Sequence, residues 1–503
     1  MLKQMKSKRS LGFDGISPLV VKRCASVLTI PLTHCMNKLF EQFRFPDILK
    51  ISKVVPIPKK GSRFELDNFR GISIVTPFAK LFETAMSNRL ANFLETHDFI
   101  FNRQFAYRKR SSTTSCVVEV SDRIFNALDR GLAVTGIFLD LSKAFDLVDH
   151  EVLLRKLECY GVRGRVNDLF RSYLCERRQY VEVNGMKSGT RLVQRGVPQG
   201  SCLGPLLYLT YTNDMARLSL AGTLFNFADD GALLYESEEY DMNCESASAD
   251  ALILEEYLRA NGQQLSLEKT TVIHLKRRRD SRPIMRQVVC EGQVITEVTW
   301  WRYLGLTLDH FMTMRDHVEQ ILSVCRPWIS FLYRMNRFVT RSMLLSLFHS
   351  MVQSKISYLI QVWSSCGEGM IDKVQVMQNS ALRAIFGLDR RASRVDMFRS
   401  VARGILPVRG MREQAIQCFV FMAMHGDIYT NVTFQYGMGQ NARRNKLLAV
   451  PRVNRQSGES AIACIGPRLF NSLPLSIRES PTLKIFMSGC REFNGGRIEN
   501  WLR

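Results

Sequence analysis

Runs of apolar residues separated by polar turns predict a chain that mixes β-strands with α-helices. Two such runs, 223–227 and 232–235, are joined by Asp-Asp-Gly, a sequence typical of tight turns. We expect a β-hairpin there, with Asp229 and Asp230 at its tip. Two adjacent carboxylates in so apolar a setting repel each other and resist loss of water, a cost that a divalent cation relieves. A solvated turn without chemistry is the alternative for this stretch taken alone.

Another apolar run, 134–139, ends at Asp140 and passes into a helical pattern. Side chains at strand ends can converge on one site, so Asp140 is a further candidate acid. Helical periodicity and end signals predict three more elements: a helix over 78–94 begun by Thr76-Pro77, a helix capped by Asp149 and stopped at Gly161, and a helix through 252–258.

The last two hundred residues change character along their length. Residues 311–400 show the period of amphipathic helices. Beyond 400 the pattern becomes irregular and basic, with these cations close together: Arg443, Arg444, Lys446, Arg452 and Arg455.

Composition and charge narrow the class of partner. The chain has 503 residues, 46% hydrophobic and 23% charged, which is ordinary for a globular protein of several domains. Its formal net charge of +22 indicates an anionic partner, most often nucleic acid, with a merely basic soluble protein as the alternative.

Thirteen cysteines are scattered singly and form no C-x-x-C pair. Zinc ribbons, zinc knuckles and a secreted disulfide scaffold are therefore disfavoured, and a reducing compartment is expected. No apolar run approaches the ~18 residues of a membrane span. We therefore expect an intracellular protein without a membrane partner.

Three motifs then occur in one order: FLDLSKAFD at 138–146, RGVPQGSCLGP at 195–205 and FADD at 227–230. Together they resemble the motifs of reverse transcriptases, in particular those of non-LTR (LINE-type) retrotransposons. The resemblance implies an α+β right-hand polymerase with fingers, an antiparallel-sheet palm, a helical thumb and a small basic C-terminal extension. It implies RNA-directed DNA polymerase activity, in which deoxynucleotides are added to a primer 3′-hydroxyl.

The same resemblance suggests a division of the chain. Residues 1–130 would form the fingers and an N-terminal element, and 131–310 the palm with the primer grip. Residues 311–400 would form the thumb, and 401–503 the basic extension.

By resemblance, Asp140, Asp229 and Asp230 are the catalytic and metal-binding residues. They would hold two Mg²⁺ ions, with Mn²⁺ as an alternative, for an in-line displacement of pyrophosphate. The two strands that carry them must lie side by side for this to work.

The resemblance also implies a nucleotide pocket. Phe145 stands where the family has the aromatic residue that excludes a 2′-hydroxyl, with a buried aromatic as the alternative. Cations such as Lys59 could grip a triphosphate, although a charged surface hairpin and a surface lysine at Lys269 are equally open. The full predicted set is Lys59, Arg70, Phe145, Gln199, Gly200, Ser201 and Lys269; Lys60 and Arg63 belong to the same basic hairpin.

Two further sites follow from the resemblance. The turn at Tyr303, Leu304 and Gly305 in WWRYLGLTLD would be the primer grip. The basic residues of QFAYRKRSSTT would contact template phosphates, or form a solvated loop: Arg108, Lys109 and Arg110.

The chain departs from the family pattern at Gly71, where Pro is usual, and at Phe470, where Trp is usual in a segment whose role the sequence does not reveal. Expected partners are an RNA template, a DNA primer or target, and deoxynucleoside triphosphates, within a ribonucleoprotein in the nucleus, the cytoplasm or both. A catalytically inactive, truncated relic and a group II intron-type maturase are the alternatives. The chain could also be one piece of a longer polyprotein.

Overall fold

The computed structural model describes residues 1–7, 9–59, 62–389, 391–402, 404–439 and 445–502. These residues form an α+β fold, which confirms the predicted class. Lys60, Arg443 and Arg444 lie outside the described residues. Among the described helices, none combines the length and the apolar character that crossing a bilayer requires.

The strands follow one another along the chain as β1 (Ile51–Pro58), β2 (Phe69–Ile74), β3 (Ala133–Leu139), β4 (Arg178–Val183), β5 (Met186–Lys187), β6 (Arg191–Leu192), β7 (Thr223–Phe227), β8 (Asp230–Ser237), β9 (Thr271–Leu275), β10 (Val289–Cys290), β11 (Gln293–Val294), β12 (Thr296–Glu297), β13 (Trp300–Tyr303) and β14 (Leu306–Asp309).

The α-helices up to residue 400 are α1 (Pro18–Arg23), α2 (Ala25–Gln42), α3 (Pro77–Thr96), α4 (Thr113–Arg130), α5 (His150–Cys159), α6 (Arg165–Leu174), α7 (Gly204–Thr212), α8 (Tyr240–Ala260), α9 (Arg315–Met335), α10 (Arg341–Phe348), α11 (Ser354–Ser357), α12 (Ile360–Trp363), α13 (Glu368–Phe386) and α14 (Arg394–Asp396). After them come α15 (Val408–Met424), α16 (Gln456–Glu459), α17 (Ile462–Asn471), α18 (Leu475–Arg478), α19 (Leu483–Gly496) and α20 (Ile498–Leu502).

The shorter turns of helix are of two kinds. The 3₁₀ turns are Leu2–Gln4, Asp47–Lys50, Leu66–Asn68 and Asn213–Arg217, and the π-helical turns are His349–Gln353 and Met397–Val401.

One sheet, in the order β12-β9-β3-β8-β7, carries the candidate acids. Its central strand β3 is buried throughout and antiparallel to both β8 and β9. Val134 and Phe138 point into the same core as helix α4, whereas Ile137 and Leu139 point into the core that contains α8. This alternation is the period-2 pattern of a strand with helices on both faces.

A second sheet joins β2, β1, β4 and β5, with β6 on β4. Strand β1 is antiparallel to β2 and parallel to β4. The predicted helix caps are confirmed here. The hydroxyl of Thr76 accepts from Ala79 N at the start of α3, and the Asp149 carboxylate accepts from Glu151 N and Val152 N at the start of α5.

The region after residue 311 is helical, as predicted to residue 400, but the expectation of irregular structure beyond 400 is wrong. Helix α15 packs against α17 and α19. The amphipathic signal there is real but short, because the helices are interrupted by Gly and Pro residues that dominate a sequence reading.

The C-terminal region is fastened to helix α4 by three buried carboxylates. Glu119 accepts from the backbone and side chain of Asn431, Asp122 accepts from Ala463 N, and Asp129 accepts from Asn454 N and Arg455 N. Helix α4 also packs on β3 and β7. The division at residue 130 therefore separates a helix from the sheet on which it rests, and the four proposed domain boundaries stay a prediction.

Candidate active site

The acidic hairpin is confirmed, but its turn is not the Asp-Asp-Gly that the sequence suggested. Phe227 pairs with Asp230, so the two turn residues are Ala228 and Asp229, and Asp230 already belongs to β8. Ala228 has φ 60°, a left-handed conformation that normally favours glycine. The backbone is therefore strained at the residue before Asp229.

A neighbouring segment holds this strained turn. Gln104 is 1% exposed, and its side-chain oxygen accepts from Ala228 N at 3.4 Å and from Ala106 N at 2.9 Å. Phe105 N donates to Asn226 O at 2.9 Å, so the segment runs along the open edge of β7. Sequence reasoning missed Gln104, since only the fold shows that a polar residue in an apolar stretch lies beside the acids.

Asp140 lies at the end of β3, beside the hairpin. Leu139 pairs with Gly231 in an antiparallel register, so the next residues, Asp140 and Asp230, lie opposite each other with Cα atoms ~5 Å apart. Asp140 N donates to the Thr270 hydroxyl at 3.3 Å. The structure therefore brings together the strand end and the hairpin, as the sequence predicted.

Lys269 approaches the same acid. Its Nζ lies 3.6 Å from Asp140 Oδ2, and Ser266 N donates to Asp140 O at 2.8 Å, which anchors the segment before β9. The predicted triphosphate contact of Lys269 stays a prediction; in this structure its amine lies on a candidate metal ligand.

The three acids share one electrostatic environment. Removal from water raises the pKa of Asp229, Arg70 opposes the shift, and Asp140 adds a smaller rise. The pKa of Asp230 is raised to about 6 by desolvation first, then by Asp229 and Asp140. Because Asp230 remains an exposed residue, its mutual repulsion with the other two acids is the firmer part of this shift.

The donor set fits a divalent cation. In the described part of the chain, no three acidic, His or Cys side chains already converge on one metal position. Asp140, Asp229 and Asp230 are nevertheless close enough to raise one another's pKa, and carboxylate oxygens are the ligands that Mg²⁺ prefers. A cation between them would offset the repulsion, and Asp140 would exchange Lys269 for the ion.

The predicted nucleotide residues fall into two groups. Phe145 is half-buried and stacks on Tyr208, with ring centroids 4.4 Å apart. Gln199 Nε2 donates to Asp146 Oδ1 at 2.9 Å, and both residues line a cavity of about 310 Å³ with Ser73 and Pro198. A side-chain pocket therefore exists where the resemblance placed one.

The Pro-Gln-Gly loop is fixed by its backbone. Ser73 N donates to Gln199 O at 2.8 Å, and Gly200 has φ 114° with its missing Cβ position only 2.7 Å from Ser73 O. Only glycine fits there. Ser201 is a correction: it is 7% exposed, and its hydroxyl accepts from Gly204 N at the start of α7, so it caps a helix and does not line the open pocket.

Of the predicted cations in the β1–β2 hairpin, Arg70 is the one that acts on the acids. It is exposed and lowers the pKa of both Asp229 and Asp230. Lys59 instead donates to Asp67 O at 3.0 Å, at the far end of the hairpin. Gly71, where the family has Pro, has space limited by Val54, whose Cγ1 lies 3.0 Å from the position of an added Cβ.

Comparison with known proteins identifies the family. A family profile described as "Reverse transcriptase (RNA-dependent DNA polymerase)" matches residues 57–308, half of the chain. The chain belongs to the reverse transcriptase family. The match includes all three candidate acids and the predicted primer grip, which confirms the family that the sequence motifs suggested.

Curated relatives of this reverse transcriptase-family chain are retrotransposon proteins. It is 29% identical over 416 residues to a probable RNA-directed DNA polymerase from transposon BS of Drosophila melanogaster, covering 76% of this chain and 43% of that protein. It is 26% identical over 405 residues to the RNA-directed DNA polymerase from mobile element jockey of the same species, covering 77% and 43%. The chain thus spans less than half the length of these relatives.

Solved structures of apo telomerase from Candida tropicalis are also similar. One covers 67% of this chain and 58% of that chain, at 13% sequence identity and a TM-score of 0.40.

The predicted primer grip is a tight turn between β13 and β14. Leu304 and Gly305 both have positive φ, 46° and 89°. Tyr303 is 3% exposed, and its hydroxyl lies 3.3 Å from Cys116 Sγ. Its role in this reverse transcriptase-family chain is therefore to anchor the turn, whose backbone remains the part that could approach a primer.

The predicted template contact at Arg108 is a correction. Its guanidinium pairs with Glu95, donates to Phe101 O and lies 3.9 Å from the ring centroid of Tyr429, so it is committed to the interior. Arg110 donates to Gly426 O, whereas Lys109 is exposed. Of the three, Lys109 remains the candidate for a phosphate contact.

Proposed function

We propose that this chain is an RNA-directed DNA polymerase of a non-LTR retrotransposon. It adds deoxynucleotides to the 3′-hydroxyl of a DNA primer on an RNA template. The observation that carries the proposal is the strand register: Leu139 opposite Gly231 puts Asp140 beside Asp230, with Asp229 in the adjoining turn. Membership of the reverse transcriptase family and the retrotransposon relatives support it.

The residues of the chain have distinct tasks in this reaction. Asp140, Asp229 and Asp230 would hold Mg²⁺, and Arg70 would balance the charge of the incoming triphosphate near them. Bound Mg²⁺ supplies activation of the primer hydroxyl and neutralisation of the leaving pyrophosphate. Phe145, held in place by Tyr208, would lie against the sugar and disfavour ribose.

The polymerase should work within a ribonucleoprotein inside the cell. The net charge of +22 supports binding to the phosphates of an RNA–DNA hybrid, which proteins hold mainly through backbone contacts. Exposed Lys109 near the acidic hairpin is one expected template contact.

Primer extension tests the proposal. Purified chain is given poly(rA)/oligo(dT), dTTP and Mg²⁺, and incorporation is measured for the wild type, Asp229→Asn and Asp168→Asn. Asp168 is an exposed acid on α6, away from the site. We expect Asp229→Asn to lower incorporation by at least ~100-fold, because one metal ligand loses its charge, and Asp168→Asn to leave it unchanged.

A non-catalytic nucleic-acid-binding protein is the second candidate. It is favoured by the Lys269 amine, 3.6 Å from Asp140 Oδ2, which competes with a cation for that ligand. Absence of incorporation in the wild type, with intact binding of the hybrid, would select this candidate over the polymerase.

A further inference from the structure

A cleft of about 440 Å³ lies between the β13–β14 hairpin and the helices that follow it. Trp301 and Tyr303 face the sheet, since their rings lie 5.9 Å and 5.2 Å from the ring of Phe138. Alternation along the strand then turns Arg302 to the opposite face, toward the cleft. Arg302 pairs in register with Thr307, so these two residues share the floor.

Helix α9 forms one wall, and its polar groups are arranged as hydrogen-bond donors. Thr307 N donates to His317 Nδ1 at 3.3 Å, which leaves the ring proton on Nε2. The Thr307 hydroxyl donates to the Gln320 side-chain oxygen at 3.0 Å, which leaves the Gln320 amide NH₂ as a donor. Both residues line the cleft.

His317 stays neutral in this position. Burial, and secondly the charge of Arg302, lower the pKa of His317 to about 4. The wall therefore keeps one imidazole N–H donor at neutral pH and adds no charge of its own.

The other wall supplies a second cation. Lys355 on α11 lines the cleft beside Tyr358. No described acid lies within ion-pair distance of Arg302 or Lys355, and no Asp or Glu of the described ranges lines the cleft. Glu319, the acid beside Gln320 on α9, is occupied by Lys373 at 2.7 Å. The cleft thus offers two unpaired cations and two neutral donors.

A strained backbone fixes the shape of this cleft. Leu359 is 1% exposed yet has φ 54°, where the helix breaks between α11 and α12. The break directs Tyr358 across the cleft, where its hydroxyl donates to Leu304 O at 2.6 Å. A left-handed buried leucine costs about 1–2 kcal/mol, and the bond across the cleft is what this strain accompanies.

We propose that the cleft is a phosphate-binding site that takes one backbone phosphodiester of the primer strand. The proposal rests on the polymerase function. Planar guanidinium and mobile ammonium groups are the side chains that best match phosphate oxygens, and neutral N–H donors complete the shell. A backbone phosphodiester held here lies beside the Leu304–Gly305 turn, which continues into the strand pair that rests on the palm sheet.

Binding is measured without catalysis, so that its failure is separate from failure of the polymerase proposal. Fluorescence anisotropy of a labelled primer–template hybrid in EDTA gives Kd for the wild type and for the Arg302→Ala/Lys355→Ala double variant. We expect Kd to rise ~10-fold and the slope of log Kd against log salt to fall by about 1, as for one lost phosphate contact. Lys484→Ala, an exposed lysine on α19, is the matched control and should change neither. Arg302→Lys should recover part of the affinity, and melting temperatures verify the fold of each variant.

Hybrids that carry a single neutral methylphosphonate identify the source of the phosphate. At one primer position the neutral linkage should weaken the wild type and leave the double variant unaffected. If no primer linkage shows this dependence while inorganic phosphate competes for the cleft, the site binds a free anion and the proposal is overturned. Unchanged Kd and salt slope in the double variant overturn it as well.

Discussion

Single residues show where stability is given up for chemistry. Asp229 and Asp230 are turned toward each other and toward Asp140, and each has a raised pKa because ionisation is costly there. A fold selected only for stability would not place three carboxylates at one sheet edge. The strain at Ala228, which carries Asp229 into the turn, is another local cost at the same position.

The first prediction concerns Asp230 and pH. Its folded pKa of about 6 lies above the ordinary 3.8, so the folded state binds the proton more tightly than the unfolded state. Stability from this group is fully present below the unfolded pKa and is lost as pH rises through about 6. Asp230→Asn should therefore raise Tm by ~2 °C at pH 7 in EDTA and by nothing at pH 3.5, solvent screening keeping the gain small.

Thermal melts across pH 3.5 to 8 check this expectation, with Asp168→Asn as the matched acid. A gain for Asp230→Asn that is equal at both ends of the range would contradict the charge origin. Added Mg²⁺ should narrow the difference at pH 7, because a cation relieves the same repulsion in the wild type.

Another residue-scale prediction concerns Glu83, which sequence reasoning passed over as part of a helix. Its side chain is fully buried, accepts from Tyr173 O–H at 3.0 Å and from Cys202 N at 2.8 Å, and lies near buried Arg177. Burial raises the pKa of Glu83, and Arg177 opposes the shift. The carboxylate thereby supports the Pro-Gln-Gly loop from behind.

Removing Glu83 should destabilise the fold. Glu83→Ala leaves Arg177 and Cys202 N without their buried partner, and we expect a loss of about 3 kcal/mol in urea unfolding. Glu83→Gln, which keeps an acceptor, should lose less and should raise KM for the nucleotide more than it lowers kcat. Glu158→Ala, on the exposed side of α5, serves as the control. Equal effects of Glu83→Ala and Glu158→Ala would refute the support role.

At the scale of elements, helix α4 links the catalytic sheet to the C-terminal region. One face of α4 packs on β3 and β7, and its carboxylates Glu119, Asp122 and Asp129 bind backbone N–H groups of residues 431, 463 and 454–455. The basic extension is thereby fastened to the helix behind the catalytic strands. Hydrogen bonds to charged acceptors are worth about 1.5–3 kcal/mol each.

Asp129→Ala tests this linkage. The variant loses the acceptor of Asn454 N and Arg455 N, so we expect a destabilisation of about 2 kcal/mol and faster proteolysis within residues 445–470. Mass spectrometry of the first fragments locates the cut, and Asp168→Ala provides the comparison. Cleavage that begins elsewhere, at an unchanged rate for this segment, would show that Asp129 does not hold it.

At the scale of the whole molecule, much of the fold was accessible from local signals. The acidic hairpin, the strand before Asp140 and the caps at Thr76 and Asp149 were all predicted, because period, turn chemistry and caps depend on residues close in sequence. The tract beyond 400 was misread, since its helices are short and interrupted.

The site residues divide in the same way. Arg108 looked like a template contact because it belongs to a basic loop, yet its partner Glu95 lies on another element. Ser201 belongs to a family motif, but its hydroxyl is used by Gly204 N. Gln104, Glu83 and Tyr358 gave no local signal, because their function depends on a partner that is distant in sequence.

The sequence by itself determined the family, the order of the acidic motifs, the main strands and helices, and the positive charge, since each of these is set by residue type and short-range spacing. Only the tertiary structure decided which cations are free and which are neutralised, what holds the strained turns, and where the C-terminal region is attached. The physical reason is that electrostatic partners and buried hydrogen bonds join residues hundreds of positions apart, as Asp129 and Arg455 do. Such pairs exist only once the chain is packed.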